Sequence, residues 1–446
     1  MDKQHLQEYL SHYHSYQTEF HQAVLDLWDD VGTHYHKRDD YQHAKLWQRL
    51  IEPDRVIRFR VTWQDDNNQT QVNRAWRVQH SNALGAYKGG LRFHPSVNES
   101  ILKFLAFEQS FKDALTMLPM GGAKGGADFD PKGKSDNEVM RFCHALMDSL
   151  YHYIGEELDV PAGDIGVGER EISYLFGHYV KITRRFAGGV LTGKNPNFGG
   201  SCGREEATGY GVVYFIESML GAQNDTLEQK RIAISGAGNV ALFAAEKALA
   251  EGARVITLSD SDGTIYCEEG LDEEQLDWIK ALKFERRGRL YESADAFSNI
   301  SYAKGKTPWH IPCDIAAPCA TQNELQAEDA KTLCQQGVQL VAEGANMPLT
   351  SEALKYFRSH KVLVAPAKAC NAGGVAVSGL ERTQNAQFQR WSLSKVEGEL
   401  QNIMRSIHAQ CIHHADQDSD YTDYVKAANL ASFRRLADAV LAYGIY

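Results

Sequence analysis

The chain has 446 residues, of which 43% are hydrophobic and 24% charged, with a formal net charge of -11. That length exceeds one ordinary hydrophobic core and predicts two domains, and the composition excludes disordered and fibrous classes. The acidic balance excludes nucleic acid and anionic membrane as main partners, since both call for a basic face.

The N-terminus is polar and unlike a signal sequence, and no apolar run approaches membrane-spanning length. Phe20, Val24, Leu25 and Trp28 recur at helical spacing within residues 1–50. The histidines here (His5, His12, His14, His21, His34, His36 and His43) are irregularly spaced. They read as solvated or interface groups, and no metal is assigned. Ile57, Phe59, Val61 and Trp63 alternate with polar residues, and after a turn at 65–68 come Val72, Trp76 and Val78. This is a hairpin in a partly solvated sheet. Ser96 with Glu99 predicts a capping box and a helix carrying Ile101, Leu102, Leu105 and Phe111. Gln109 and Lys112 share one face of it, and the helix stops near Leu118-Pro119.

The next stretch, LPMGGAKGGADFD (118–130), sets Lys124 between two glycine pairs. The pattern predicts a glycine bend that presents the lysine into a cleft, or else a solvated loop. In a dry cleft the amine loses affinity for its proton and can serve as acid and base. No Ser or Thr follows the lysine, so this is not a phosphate-cradling loop. Lys88 on a loop beside Gly89-Gly90, Lys112 at a helix end and Lys124 at the bend together suggest a pocket for a small dianion. After a helix over roughly 137–153, Asp164 falls in the glycine-rich DVPAGDIGVGER. Its readings are an Asx turn or cap, or a carboxylate relaying protons beside Lys124. The glycine-rich passage 188–211 holds the domain boundary, near residue 200.

RIAIS (231–235), GAGNVA (236–241), an alanine-rich helix and RVITL form strand, turn, helix and strand, closing on Asp260. In that frame GxGxxA is a dinucleotide fingerprint. Gly236, Gly238, Asn239 and Val240 lie where backbone N–H groups receive the pyrophosphate. Asp260 alone favours the free 2′-hydroxyl of NAD. Lys283, Arg286, Arg287 and Arg289 in KFERRGR either neutralise a 2′-phosphate or form a solvated helix face. Later strands (CDIAAPCA, VQLVAEGAN, KVLVAPAK) end in small residues that leave room for a nicotinamide ring. From Gln384 onward the pattern is helical, with Trp391, Leu393, Val396, Leu400 and Met404 on one face. Eight cysteines without CxxC spacing read as reduced thiols of a cytoplasmic protein.

YKGGLRFHP, FEQSFKDALTMLPMGGAKGGADFDPKGKSD, DVPAGDIGVG, GREEATGYG, SGAGNVA, PCATQNEL, VAEGAN and NAGGV stand in order along nearly the whole chain. Together they resemble glutamate dehydrogenase of the hexameric, short-subunit bacterial type, within the Glu/Leu/Phe/Val dehydrogenase family. The resemblance implies an α/β chain with an N-terminal substrate and oligomerisation domain over 1–200. A Rossmann-like, doubly wound coenzyme domain over 201–424 closes over a cleft, and C-terminal helices (about 425–446) cross back to the first domain. It implies reversible oxidative deamination of L-glutamate to 2-oxoglutarate and ammonium, in the direction of ammonium assimilation, by a cytoplasmic homohexamer.

By motif, Lys124 resembles the catalytic lysine and Asp164 the proton-shuttling aspartate. Lys88 and Ser378 match positions holding the side-chain carboxylate; Gln109, Lys112 and the backbone of Gly163 match those holding the α-carboxylate. Thr208, Asn239, Asn346 and Asn371 resemble coenzyme contacts. SDSDG followed by KFERRGR looks like the NADP-using members, with Ser261, Lys283 and Arg289 as phosphate contacts and NAD as the alternative coenzyme. The chain departs from the family in carrying Glu205 where proline usually follows the arginine, which bears on the coenzyme loop. The rival readings are a leucine, phenylalanine or valine dehydrogenase and a catalytically silent nucleotide-binding scaffold.

Overall fold

The computed structural model describes residues 2–445. The chain divides into two compact units. One holds the chain up to Cys202 together with Val377–Val396 and the residues from Asn429 onward; the other holds Gly203–Ala376 and Glu397–Ala428. The sequence boundary near 200 lies close to Cys202, whereas Val377–Val396, assigned from sequence to the second domain, groups with the first.

The first unit is built on five strands: β1 (Arg55–Gln64), β2 (Thr70–Ser81), β3 (Tyr87–Phe93), β4 (Gly122–Ala127) and β5 (Asp159–Ala162), in the order β1-β2-β4-β3-β5. The first two form the expected hairpin, closed by Asp65, whose side chain accepts from the amides of Asn67 and Gln69. β4 runs antiparallel to β2 and parallel to β3, and β5 runs parallel to β3. Beneath the sheet lie the helices Asp136–Leu150 and Glu169–Thr183. Phe142, Leu146, Ile172 and Leu175 from these helices meet Phe59, Val61, Leu91 and Phe93 in one core.

Four sequence expectations are corrected here. The helix Glu99–Leu115 is capped by Asn98, whose side chain accepts from the amide of Ile101 at 3.0 Å, and no Ser96–Glu99 box forms. Ser96 instead pairs its hydroxyl with the His94 ring at 2.7 Å; asparagine is an equally good cap, and it starts the helix two residues later. Lys124 lies within strand β4, not on a bend, and Lys88 lies on β3, not on a loop. Finally, Trp391 precedes the helix Leu393–His414, and Leu393 is half exposed. The buried face of that helix is Val396, Leu400, Met404, Ile407 and Cys411.

The second unit carries seven strands: β6 (Arg231–Ser235), β7 (Arg254–Asp260), β8 (Gly263–Tyr266), β9 (Ser301–Lys304), β10 (Ile315–Pro318), β11 (Leu340–Ala342) and β12 (Leu363–Ala365). Their order is β12-β11-β10-β6-β7-β8-β9. Strands β12 to β7 are parallel and β8 and β9 antiparallel. The order reverses at β6, between β10 and β7. A crevice outside the carboxyl ends of such strands is where α/β sheets bind ligands.

Candidate active site

Strand alternation arranges the first group of residues. Leu91 and Phe93 of β3 enter the core, so Lys88, Gly90 and Arg92 occupy the opposite face. Leu91 pairs with Gly125 of β4, which puts Lys124 on the same face as Gly90 and Arg92. The glycines around Lys124 are there for close approach. None of Gly121, Gly122, Gly125 and Gly126 has positive φ. A Cβ on Gly122 would lie 1.9 Å from Ser110 Oγ, and one on Gly126 would lie 2.3 Å from the Arg92 carbonyl oxygen. Gly90 serves likewise, since its Cβ would come within 2.7 Å of the Gly163 carbonyl oxygen and 2.9 Å of Asp164 Cβ. That space lets the turn after β5 press Asp164 onto the sheet.

Lys124 Nζ lies 3.1 Å from Asp164 Oδ2, and Arg92 Nε donates to the same oxygen at 2.8 Å. The lysine is 7% exposed. Burial, followed by the charges of Arg92 and Arg77, holds its pKa below the ordinary lysine value, while Asp164 opposes the shift. Burial alone would push Asp164 up, but Lys124 and Arg92 outweigh it and hold the carboxyl below its usual value. Asp164 closes a two-residue turn with Val167, Gly166 taking φ +72°.

The helix Glu99–Leu115 carries Gln109, Lys112 and Asp113. Gln109 Nε2 donates to Asp113 Oδ1 at 2.7 Å, and its Cγ lies against Gly89. Burial pushes the Asp113 carboxyl up to about 7, against the charge of Lys88, the Gln109 bond and the charges of Lys112 and Arg382. Lys88 is 1% exposed. Ser378 Oγ lies 2.6 Å from Thr192 Oγ1, and the Thr192 amide donates to the Pro161 carbonyl oxygen of β5 at 3.0 Å.

Sequence reasoning gave no role to Arg92, Asp113 or Thr192. Period-two alternation in KGGLRF carries the signal for Arg92, and the four-residue spacing from Gln109 the signal for Asp113. Thr192 has no local signal, because its partner lies 186 residues away.

In the second unit, Gly236 takes φ +90° at the end of β6, and Gly238 caps the helix Asn239–Ala250. Gly238 and Asn239 are exposed, Val240 is half-buried and Ala241 is buried beneath them, so the N–H groups of this helix start are open to a pyrophosphate. Asp260 does not stand alone. Its Oδ2 accepts from Lys283 at 3.3 Å and from the Leu290 amide at 3.0 Å, and Oδ1 accepts from the Asp262 amide. Arg289 donates to Ser261 Oγ at 2.9 Å. Arg289 Nε also lies 3.4 Å from Asp262 Oδ2. A carboxylate engaged by its own chain's lysine and amides is compatible with a neighbouring phosphate. Asn371 Nδ2 donates to Asn346 Oδ1 at 3.0 Å and to the carbonyls of Gly344 and Ala345. Thr208 Oγ1 and Arg204 lie beside Gly374, and Glu205 is exposed. Among the described residues, no group of three or more His, Cys, Asp or Glu side chains is placed to hold a metal ion.

A largely parallel sheet with an open glycine turn, together with a second sheet bearing a buried lysine against an aspartate, fits a nucleotide-dependent dehydrogenase, and the relatives below show that class. Residues 199–444 match the Glutamate/Leucine/Phenylalanine/Valine dehydrogenase model, and residues 53–181 match the dimerisation domain of the same family. The chain is 54% identical over 429 residues to the NADP-specific glutamate dehydrogenase of Escherichia coli, covering 96% of this chain and 95% of that one. It is 53% identical over 436 residues to the NADP-specific glutamate dehydrogenase of Psychrobacter sp., covering 97% of each. The crystal structure of Plasmodium falciparum glutamate dehydrogenase superposes with a TM-score of 0.97 at 46% identity, covering 99% of this chain and 94% of that one. The chain belongs to the Glu/Leu/Phe/Val dehydrogenase family.

Proposed function

We propose that the protein catalyses the reversible oxidative deamination of L-glutamate to 2-oxoglutarate and ammonium with NADP. The observation that carries the substrate is Lys88, held at 1% exposure on the strand face shared with Arg92 and Lys124. A buried ammonium calls for anionic company. The Asp113 carboxyl feels the charge of Lys88, and a substrate carboxylate would add a second anion to the same ammonium. An apolar amino-acid side chain would gain nothing there, which disfavours the leucine, phenylalanine and valine readings.

Lys88 and Ser378 hold the side-chain carboxylate; Gln109, Lys112 and the Gly163 backbone hold the α-carboxylate. Exclusion of water strengthens each of these contacts. NADP would be held at the open helix start and the Lys283–Arg289 arm, and when bound would supply a hydride acceptor for the Cα–H. Loss of hydride leaves an iminium on the substrate. Lys124, as the neutral amine, takes a proton from the water that attacks the iminium carbon. The ionised Asp164 relays to the amine the proton that Lys124 has taken up, the C–N bond breaks with its electron pair going to ammonia, and the neutral Lys124 accepts the hydroxyl proton as the carbonyl of 2-oxoglutarate forms. Coenzyme contacts are assigned to Thr208, Gly236, Gly238, Asn239, Val240, Asp260, Ser261, Lys283, Arg289, Asn346 and Asn371. We read the assembly as a homohexamer in the cytoplasm, supported by the dimerisation-domain match and by the absence, among the described residues, of a helix able to cross a membrane.

The test is a spectrophotometric assay with 2-oxoglutarate and ammonium, run in parallel with NADPH and NADH. Turnover with NADPH is expected, and activity with NADH alone would overturn the coenzyme assignment. Lys88→Leu is expected to lose glutamate turnover by about 100-fold or more while nucleotide binding persists. Equal loss of both would count against the assignment of Lys88 to substrate.

A further inference from the structure

We propose that the buried ion pair Lys194–Glu381 is a positioning device. It sets the Thr192–Ser378 hydroxyl pair and, through it, the preference for a substrate with a second carboxylate. This rests on the reading above that Ser378 receives the side-chain carboxylate.

Two chain segments remote in sequence meet here. Thr192 and Lys194 stand two residues apart on one of them. On the other, the helix Gly373–Ala386, Ser378, Glu381 and Asn385 follow at spacings of three and four and so share a face. Glu381 Oε1 accepts from Lys194 Nζ at 2.6 Å and Oε2 accepts from the Gly193 amide at 2.9 Å. Lys194 donates also to the Leu191 carbonyl and to Asn385 Oδ1, which uses all three of its N–H donors. Asn385 in turn donates to the Gly199 carbonyl at 2.7 Å. Both charged side chains are 0% exposed.

The two carboxylate oxygens thus clamp Gly193 and Lys194, the residues immediately after Thr192. One helical turn away the same helix delivers Ser378 to Thr192 at 2.6 Å. The Thr192 amide is pinned to Pro161, two residues before Gly163.

Two ions taken wholly out of water recover little net stability against apolar residues of similar volume. What the pair supplies is direction: a fixed separation between the loop and the helix. Hydroxyls donate to a carboxylate only over a narrow range of distance and angle. A displaced hydroxyl pair therefore weakens the grip on a dicarboxylate and leaves an apolar chain end indifferent.

The experiment compares Lys194→Met, Glu381→Gln and the double variant Lys194→Met/Glu381→Leu in the reductive direction. The substrates are 2-oxoglutarate and 2-oxopentanoate, its five-carbon analogue without the second carboxylate, with NADPH throughout. The double variant leaves no uncompensated charge and keeps the test open where a single variant fails to fold. We expect kcat/KM for 2-oxoglutarate to fall about 10- to 100-fold, chiefly through KM. The KM for NADPH, the rate with 2-oxopentanoate and cooperative thermal unfolding of the double variant should be retained. A folded double variant with the wild-type ratio between the two acids, or with equal losses on both, overturns the proposal. Ser378→Ala separates the two levels of the argument. If it lowers the ratio and the double variant does not, only the positioning role fails; if it leaves the ratio intact, the assignment of the subsite fails with it.

Discussion

Arg92 and Asp164 pull the proton affinity of Lys124 in opposite directions by their charges, and Arg92 and Lys124 meet on a single oxygen, Asp164 Oδ2. In the proposed mechanism Lys124 must be neutral to deprotonate water, so the acid limb of kcat/KM for deamination is expected to follow its pKa. Arg92→Met removes a positive charge that holds this pKa down, and the limb is expected to move to higher pH. Asp164→Asn removes the negative charge that holds it up, so the limb moves to lower pH while kcat falls about 10²- to 10⁴-fold, the usual worth of a placed proton carrier. Limbs moving the same way in pH–rate profiles of the two variants would refute this electrostatic account. At this scale the glycine pairs mark Lys124 as a candidate but leave a solvated loop equally open, and it is the resemblance across the neighbouring motifs that gives the lysine its role. Arg92 was passed over because its neighbour Lys88 already explained the segment.

At the scale of single elements, β4 shows where sequence logic went astray and why. A GGAKGG run reads as a bend when glycine is credited only with conformational freedom. Here the backbone is extended, and the missing Cβ atoms admit Ser110 at Gly122 and the Arg92 carbonyl at Gly126. The β6–β7 frame was read correctly because its signals, an apolar run, a glycine turn and a helix, are all local. The partners of β4 lie on other elements, and no spacing along the chain reports them. Gly126→Ala is therefore expected to destabilise the protein by about 1–3 kcal/mol through overpacking, and to displace Arg92. Gly177, exposed in the helix Glu169–Thr183 with nothing within 4 Å of its Cβ position, is the contrasting case. Gly177→Ala should stabilise by about 0.5–1 kcal/mol by restricting the unfolded chain. Chemical denaturation of both variants checks the pair, and a neutral Gly126→Ala would show that β4 has slack the geometry denies.

Over the whole molecule, the discontinuous make-up of the first unit lay beyond local pattern, because burial of the residues from Asn429 onward is decided by where the chain returns. Phe433 against Trp47 at 5.4 Å and Asp438 against Tyr41 are contacts across nearly 400 residues. The same depth of burial governs behaviour in acid. His80 on β2 is 2% exposed, with Nε2 2.9 Å from the Leu50 carbonyl and Nδ1 2.7 Å from Ser110 Oγ. Burial, reinforced by the charge of Lys103 and opposed by the Leu50 bond, takes its pKa from 6.5 to about 4. Between those values the unfolded chain binds the proton and the folded chain refuses it. The stability from neutral His80 is thus complete above about pH 6.5 and is lost as pH falls toward 4, amounting to roughly 3 kcal/mol. His408, also taken down to about 4 by burial, acts in the same sense. His80→Gln keeps a donor and an acceptor but cannot titrate. Its unfolding free energy, measured by denaturant titration at several pH values from 7 to 4, is expected to decline less steeply than that of the wild type. Parallel curves would mean that His80 takes up its proton without cost in the folded protein, and that Ser110, which packs against the glycines of β4, does not depend on a neutral imidazole for its place.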